Sequence, residues 1–277
     1  MKDFHSDKTK LDERSKQLRK SIVYMMEKAG RGHPASALSL VEILRVLYDH
    51  VMNYDSSDPQ LAKRDRCILS KGHGCLALYA ILADKGFFPK SEMDYFCKKN
   101  GILGGHPERS KIPGVEASTG SLGHGLSIGI GMALNARIDN SNYRTYVITG
   151  DGECNEGSIW EAAMCAGKHE LDNLTVLIDY NKQQSYSTTA EIQELEPFSK
   201  KWESFGFYVK EIDGHDVNAL KATLQSLPLV AKKPVALICH TIKGKGISFM
   251  ENNLSWHHKS KLTLQEIQKM YQSIEDY

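Results

Sequence analysis

Gly150-Asp151-Gly152-Glu153-Cys154-Asn155-Glu156-Gly157 is the stretch whose reading decides the fold. It ends an apolar run, Tyr146-Val147-Ile148-Thr149, and opens a helical pattern over 156–169. A second apolar run, Leu174-Thr175-Val176-Leu177-Ile178-Asp179-Tyr180, stops at Asn181. The order is strand, turn, helix, strand. In an open parallel sheet, ligands bind just beyond the carboxyl ends of the strands, so Asp151 and Asn181 are expected side by side on one rim. Their oxygens suit a hard divalent cation, and Mg²⁺ would complete its octahedron with a partner such as a phosphate.

The same alternation extends outward in both directions. Upstream, helical periodicity over 11–29 stops at Gly30, and a second helix is expected over 37–52. Arg66-Cys67-Ile68-Leu69-Ser70 reads as a short buried strand running into Lys71-Gly72-His73-Gly74, with a helix over 75–85. A short helix capped by Ser91 is expected over 91–99. The Gly- and Pro-rich segment 100–120 reads as a long functional loop. A slim helix over 126–138 follows, in which Gly129, Gly131 and Ala133 permit close approach. Downstream come a polar surface loop over 183–194, a helix over 197–205, a strand over 208–212, a helix over 217–227 and a strand over 234–241. A closing helix over 263–272 carries Glu266 in a capping-box position. Strands alternating with helices predict an α/β fold, a doubly wound and mainly parallel sheet with helices on both faces. No repeat or linker divides the sequence, so one domain over 1–277 is expected.

Composition excludes several classes. The 277 residues are 41% hydrophobic and 25% charged, with a net charge of +1. No global field points to nucleic acid or to an acidic membrane surface, and no apolar run is long enough to span a bilayer. The polar N-terminus lacks a signal core. The cysteines form no C-x-x-C pair, as expected of a reduced, cytoplasmic protein.

An isolated Asp-Gly is a common turn, and nicotinamide binding would require G-x-G-x-x-G, which Gly150, Gly152 and Gly157 do not supply. The spacing from Gly150-Asp151-Gly152 to Asn181 instead resembles the thiamine diphosphate (ThDP) signature, in its transketolase form. Gly32-His33-Pro34, Leu69-Ser70-Lys71-Gly72-His73, Gly105-His106-Pro107-Glu108, Thr119-Gly120-Ser121-Leu122-Gly123 and Thr241-Ile242-Lys243-Gly244-Lys245-Gly246 resemble that family in the same order, over about residues 11–260.

The resemblance implies roles residue by residue. Asp151, Asn181 and the backbone carbonyl of Gln183 would bind Mg²⁺ or Ca²⁺, which bridges the diphosphate. Gly150 and Gly152 belong to the same clamp, and Gly120, Ser121 and Leu122 would lie along the thiamine. His73 would contact the diphosphate. His33, His106 and His257 would line the substrate channel, where imidazole suits hydrogen bonding to sugar hydroxyls and proton transfer. His257 is preferred to His258 because Trp256-His257 fits the family pattern, although His258 stands where that pattern has Gly. Glu156 would join a carboxylate network linking two cofactors; its plainer reading is a helix-start carboxylate.

Full transketolases are more than twice this length, and the half missing here carries the Glu that activates the cofactor. The expectation is therefore an N-terminal subunit that pairs with a separate C-terminal one in an α2β2 assembly. The pair would move a two-carbon ketol unit between sugar phosphates. Alternatives are the same half of a deoxyxylulose-phosphate synthase, of a 2-oxo acid dehydrogenase component or of an unusual-sugar transketolase, and a non-catalytic regulatory half.

Overall fold

The computed structural model describes residue 4 and residues 6–277. Its sheet contains β1 (Arg66–Leu69), β2 (Thr145–Gly150), β3 (Leu174–Tyr180), β4 (Tyr208–Asp213) and β5 (Val235–His240). The order is β1-β2-β3-β5-β4, and every pairing is parallel. The predicted doubly wound α/β architecture is thus present.

Side-chain alternation explains the two layers. Neighbouring strand residues point to opposite faces. Tyr146 and Ile148 accordingly pack in one core with Leu177, Leu237 and Cys239, while Val147 packs in the other with Ile68, Val176, Ile178 and Ile238. The first core is covered by α1 (Glu13–Ala29), α2 (Pro34–Leu38), α3 (Val41–Val46), α4 (Cys75–Asp84), α9 (Val217–Gln225) and α10 (Leu264–Asp276). The second lies under α5 (His124–Ile138), α6 (Gly157–Lys168) and α8 (Phe198–Ser204). Burial on both faces is why β2 and β3 are buried along their whole length. The edge strand β4 is mostly half-exposed and carries the charged Lys210 and Glu211.

Several caps follow from local chemistry. Asp12 accepts the Ser15 N–H at 2.9 Å and starts α1, and Gly30, at φ +67°, ends it. Thr263 and Glu266 form the expected reciprocal capping box on α10.

Four expectations need correction. The helix expected over 37–52 begins at Pro34, breaks after Leu38, resumes as α3 and ends in a π-turn, Leu47–Val51. Ser39 lies at the break, where its hydroxyl is 3.3 Å from the Ser36 carbonyl and also bonds Asp179; such side-chain bonds compete with the helical ladder. The Ser91-capped helix is instead a 3₁₀ segment, Lys90–Tyr95, entered from the extended Pro89 with no side-chain cap. The surface loop 183–194 contains a bridge from Gln183 to Thr188 and the short helix α7 (Thr189–Ile192). The slimness of α5 is needed at Gly129, where a Cβ would come 2.4 Å from Val147, whereas Gly131 faces open space.

Candidate cofactor and active site

The loops leaving β1, β2, β3 and β5 meet at the carboxyl rim of the sheet. They line a cavity of about 220 Å³ with His33, Lys71, His73, Gly120, Leu122, Gly150, Asp151, Gly152, Glu153, Asn181, Gln183, Gln184, Lys243 and His257. Gly120 also borders an adjoining cavity of about 590 Å³, together with His106 and Ser121. Among the expected residues, His33, His73, Gly120, Leu122, Gly150, Asp151, Gly152, Asn181, Gln183 and His257 converge on the first cavity. His106 and Ser121 lie on the second.

Glu156 lines neither cavity. It is exposed, extended in backbone, and packs near Gly123, where an added Cβ would meet its side chain at 2.8 Å. The carboxylate that turns inward is Glu153, which is 2% exposed and accepts the N–H groups of Gly123 at 2.9 Å and Gly150 at 3.0 Å, with the Ser70 hydroxyl as a further donor. Burial pushes its carboxyl upward, against those hydrogen bonds.

A larger cavity, about 760 Å³, lies at the opposite end of the sheet. Its buried carboxylate, Asp65, already accepts the N–H groups of Asn53 and Arg144 at 2.8 and 2.7 Å. At the carboxyl rim, by contrast, the cavity lining itself holds unsatisfied polar atoms. His257 Nδ1, Gln183 Oε1 and Gln184 Nε2 are buried without partners among the described residues. Buried polar groups are normally paired, so these atoms call for a ligand rich in hydrogen-bonding groups.

Charge in the cavity is compressed. Lys71 and Lys243 are each 2% exposed. Lys71 pairs with Asp179, whereas Lys243 donates to the carbonyls of Gln183 at 3.2 Å and Gln184 at 2.9 Å. Burial, with Lys71 nearby, lowers the Lys243 ammonium to about 8. Burial, with Asp179 nearby, raises the Asp151 carboxyl to about 7. Asp151 accepts the Gly152 N–H at 2.7 Å and also the Lys182 N–H. The Asn181 oxygen takes the Gln183 N–H at 3.0 Å.

Carboxylate, carboxamide and carbonyl oxygens on Asp151, Asn181 and Gln183 form a hard donor set for Mg²⁺ or Ca²⁺. An anionic partner would meet Lys71, Lys243 and the unpaired donors. The residues therefore fit a cation bound to a diphosphate.

The histidines cluster because the chain folds back on itself. Gly32 and Lys259 exchange both backbone hydrogen bonds at 2.9 Å, which brings 33 beside 257–258. The His33 ring lies 5.6 Å from His73, 6.2 Å from His106, 5.5 Å from His257 and 4.5 Å from His258. His257 is half-buried and lines the cavity, whereas His258 is exposed and does not line it.

Burial lowers His33 to about 4, aided by His258 and His106, and lowers His257 to about 3, aided by Lys243. Burial and Lys71 take His73 well below its ordinary value, and burial also lowers His106. Without a bound anion these imidazoles are neutral at pH 7. The near-neutral titration expected from residue type alone is displaced by desolvation beside cations.

Residue patterns alone do not assign Lys71, Glu153, Lys243 or Gln184 to the site. Lys71 and Lys243 sit inside the quoted motifs, and a buried diphosphate requires countercharge, which is the signal that could find them. Gln184 has none; it is placed by contact with Gly152, where a Cβ would strike it at 2.6 Å.

Comparison with known proteins agrees with this geometry. Residues 12–275 match the family model "Transketolase, thiamine diphosphate binding domain". One subunit of the apulose-4-phosphate transketolase from Phocaeicola vulgatus is 44% identical over 248 residues, covering 90% of this chain and 88% of the relative. A 6-deoxy-6-sulfo-D-fructose transketolase subunit from Clostridium sp. is 42% identical, covering 91% and 92%. Human transketolase is 37% identical over 96% of this chain, which spans 42% of that protein. The crystal structure of transketolase from Campylobacter jejuni superposes with a TM-score of 0.86 at 29% identity, over 95% of this chain and 42% of that one. The motifs, the rim and these likenesses lead to one conclusion: the chain belongs to the transketolase family, as its N-terminal, thiamine diphosphate-binding part.

Proposed function

We propose that this chain is the N-terminal subunit of a two-subunit transketolase, which transfers a two-carbon ketol unit from a ketose phosphate to an aldose phosphate. The observation that carries the reading is one rim cavity in which Asp151, Asn181 and the Gln183 carbonyl stand beside Lys71 and Lys243. These oxygens would hold Mg²⁺ or Ca²⁺, and the two ammonium groups would neutralise the diphosphate. Bound ThDP supplies the electron sink for carbon–carbon bond cleavage.

The protein's own share is binding, orientation and protons. Neutral His33, His106 and His257 can each donate one hydrogen bond and accept another, which suits a row of sugar hydroxyls. Arrival of a diphosphate would raise their proton affinity through its negative charge and bring them into the range where imidazole relays protons. Gly120 stands against the His106 ring, with a Cβ position 3.1 Å from it, so its lack of a side chain keeps the passage between the two cavities open. The expected residues 1–277 act as one diphosphate-binding domain, supported by two cores sharing a single sheet.

A partner subunit is part of the proposal. Relatives matched over nearly their whole length are themselves named as transketolase subunits, and this chain spans 42% of a full transketolase. An α2β2 assembly with a C-terminal subunit would complete the site. The cytoplasm is the proposed compartment, in keeping with six free cysteines. Two of the relatives are named for apulose-4-phosphate and a sulfofructose, which favours an unusual ketose as the second reading of the donor.

The test is reconstitution of this chain with a C-terminal transketolase subunit, ThDP and Mg²⁺, assayed against a panel of ketose and aldose phosphates. Turnover is expected from the pair and not from the chain alone. Strong turnover by the purified single chain would sink the split-enzyme reading. Failure of the pair to bind ThDP would sink the cofactor reading.

A further inference from the structure

Asp179 occupies the penultimate position of β3 and is 0% exposed. Strand alternation turns it away from Ile178 and Tyr180, onto the face where Leu177 packs. A buried carboxylate is costly unless it is paired and hydrogen-bonded, and this one is saturated by groups from separate segments. Its Oδ2 accepts the Ser39 hydroxyl at 2.7 Å, the Lys71 ammonium and the Asn181 Nδ2 at 3.2 Å. Its Oδ1 accepts the Thr241 hydroxyl. Asp179 therefore ties together the loops after β1, β3 and β5 and the break between α2 and α3.

Two consequences concern the cofactor. An ionised carboxylate can only accept hydrogen bonds, so Asn181 must turn its NH₂ group toward Asp179. Its oxygen is left on the other side, where it takes the Gln183 N–H at 3.0 Å and keeps a lone pair for a cation. The same carboxylate neutralises Lys71 while holding it at the cavity wall.

We propose that Asp179 is the positioning residue of this site, fixing which end of the Asn181 carboxamide faces the cation and holding Lys71 in place for the diphosphate. The proposal rests on the ThDP–metal reading above. Asn at 179 could offer Asn181 either an oxygen or an NH₂ group. The Asn181 amide would then lose its fixed orientation and Lys71 its countercharge.

The experiment titrates the chain, paired with a C-terminal transketolase subunit, with ThDP at saturating Mg²⁺ by calorimetry, with Mn²⁺ binding followed by water-proton relaxation as a cofactor-independent readout. D179N should weaken both about 10–100-fold, the usual cost of losing a group that orients a metal ligand. The exchange D179N/N181D conserves charge and restores an NH₂ donor facing a carboxylate. It should bind Mn²⁺ at least about tenfold more tightly than both D179N and N181D alone, because N181D sets two carboxylates face to face whereas the exchange returns a donor to an acceptor.

Where D179N does not fold, K71M/D179N removes the stranded ammonium, and it should bind Mn²⁺ about tenfold more weakly than K71M. Binding by D179N within about twofold of wild type, or an exchange variant no better than D179N, would overturn the proposal. So would K71M/D179N binding Mn²⁺ as well as K71M. Failure of the wild-type pair to bind ThDP and metal would overturn the cofactor reading and this proposal with it, whereas tight wild-type binding unchanged in D179N removes this proposal alone.

Discussion

Two buried ionic clusters lie within the same molecule, and they are built differently. In the first, Arg19 is 0% exposed and all its N–H groups are engaged. They reach Glu42 at 2.6 and 3.0 Å, Lys245 O at 2.8 Å, Leu38 O at 3.2 Å and Ser15 O at 3.3 Å. Glu42 also takes His215 Nδ1 at 2.8 Å, and His215 Nε2 accepts the Ile242 N–H at 2.9 Å. Burial would raise the Glu42 carboxyl, but Arg19 and His215 hold it far below the usual range. In the second, at the rim, Lys243 rests on carbonyls, Asp151 is raised to about 7, and His257 Nδ1 and Gln184 Nε2 have no partner among the described residues. A closed set of bonds holds the loop after β5 in place. An open set leaves binding energy for a ligand, because desolvated polar groups gain most from a partner that completes them.

The contrast can be broken most forcefully in the closed cluster. E42Q leaves Arg19 as an uncompensated buried cation and should cost about 3–5 kcal/mol by chemical denaturation, while ThDP affinity of the folded fraction stays near wild type. Loss of under about 1 kcal/mol would mean that the cluster is not a closed set of bonds.

D151N should do the reverse. Affinity for ThDP with Mg²⁺ should fall about 100-fold, with no loss of stability in the unloaded protein. A D151N chain that unfolds but still binds cofactor would erase the distinction between the clusters.

A finer test uses pH. The folded Asp151 carboxyl, at about 7, lies above the ordinary value of 3.8. The unloaded fold therefore prefers the protonated form, so the stability contributed by this group is full below 3.8 and is lost as pH rises through 7. The cation must displace that proton, and its affinity should fall by up to about tenfold per pH unit below 7. Calorimetry on either side of pH 7 checks this, and D151N should flatten both dependences. Full Mg²⁺ affinity well below pH 7 would place the Asp151 proton elsewhere.

The smallest expected effect separates two neighbouring histidines. H257N should weaken ThDP binding several-fold, whereas H258N, at an exposed position outside the cavity lining, should change it by less than about twofold, as exposed positions generally do. The opposite ranking would move the site histidine to 258.

Much of this was legible before any coordinates. Spacing and alternation around 144–181 were enough for a parallel sheet, because side-chain period and turn chemistry are local properties. Ordered motifs brought the cavity residues within reach, Asp151, Asn181 and His73 among them. Less legible was the direction of each side chain at a loop. Glu153 and Glu156 stand in one motif, yet a 3₁₀ turn at Gly152–Asn155 aims Glu153 inward, and the extended backbone at Glu156 leaves that side chain in solvent. The helix expected over 37–52 failed for a related reason, since Ser39 bonds Asp179, far away in sequence.

The sequence by itself determined the strands, the gathering of polar residues at one rim and the family, all of which depend on residue type at short spacing. Only the tertiary structure decided which charges face each other. The Lys71–Asp179 pair joins the loop after β1 to the end of β3 across the intervening β2, and the His33–His257 contact exists because Gly32 and Lys259 form a two-residue bridge. Such pairings arise from chain closure over long loops, and the electrostatics of the rim arise from the desolvation that closure imposes. Neither is encoded in any one stretch of sequence.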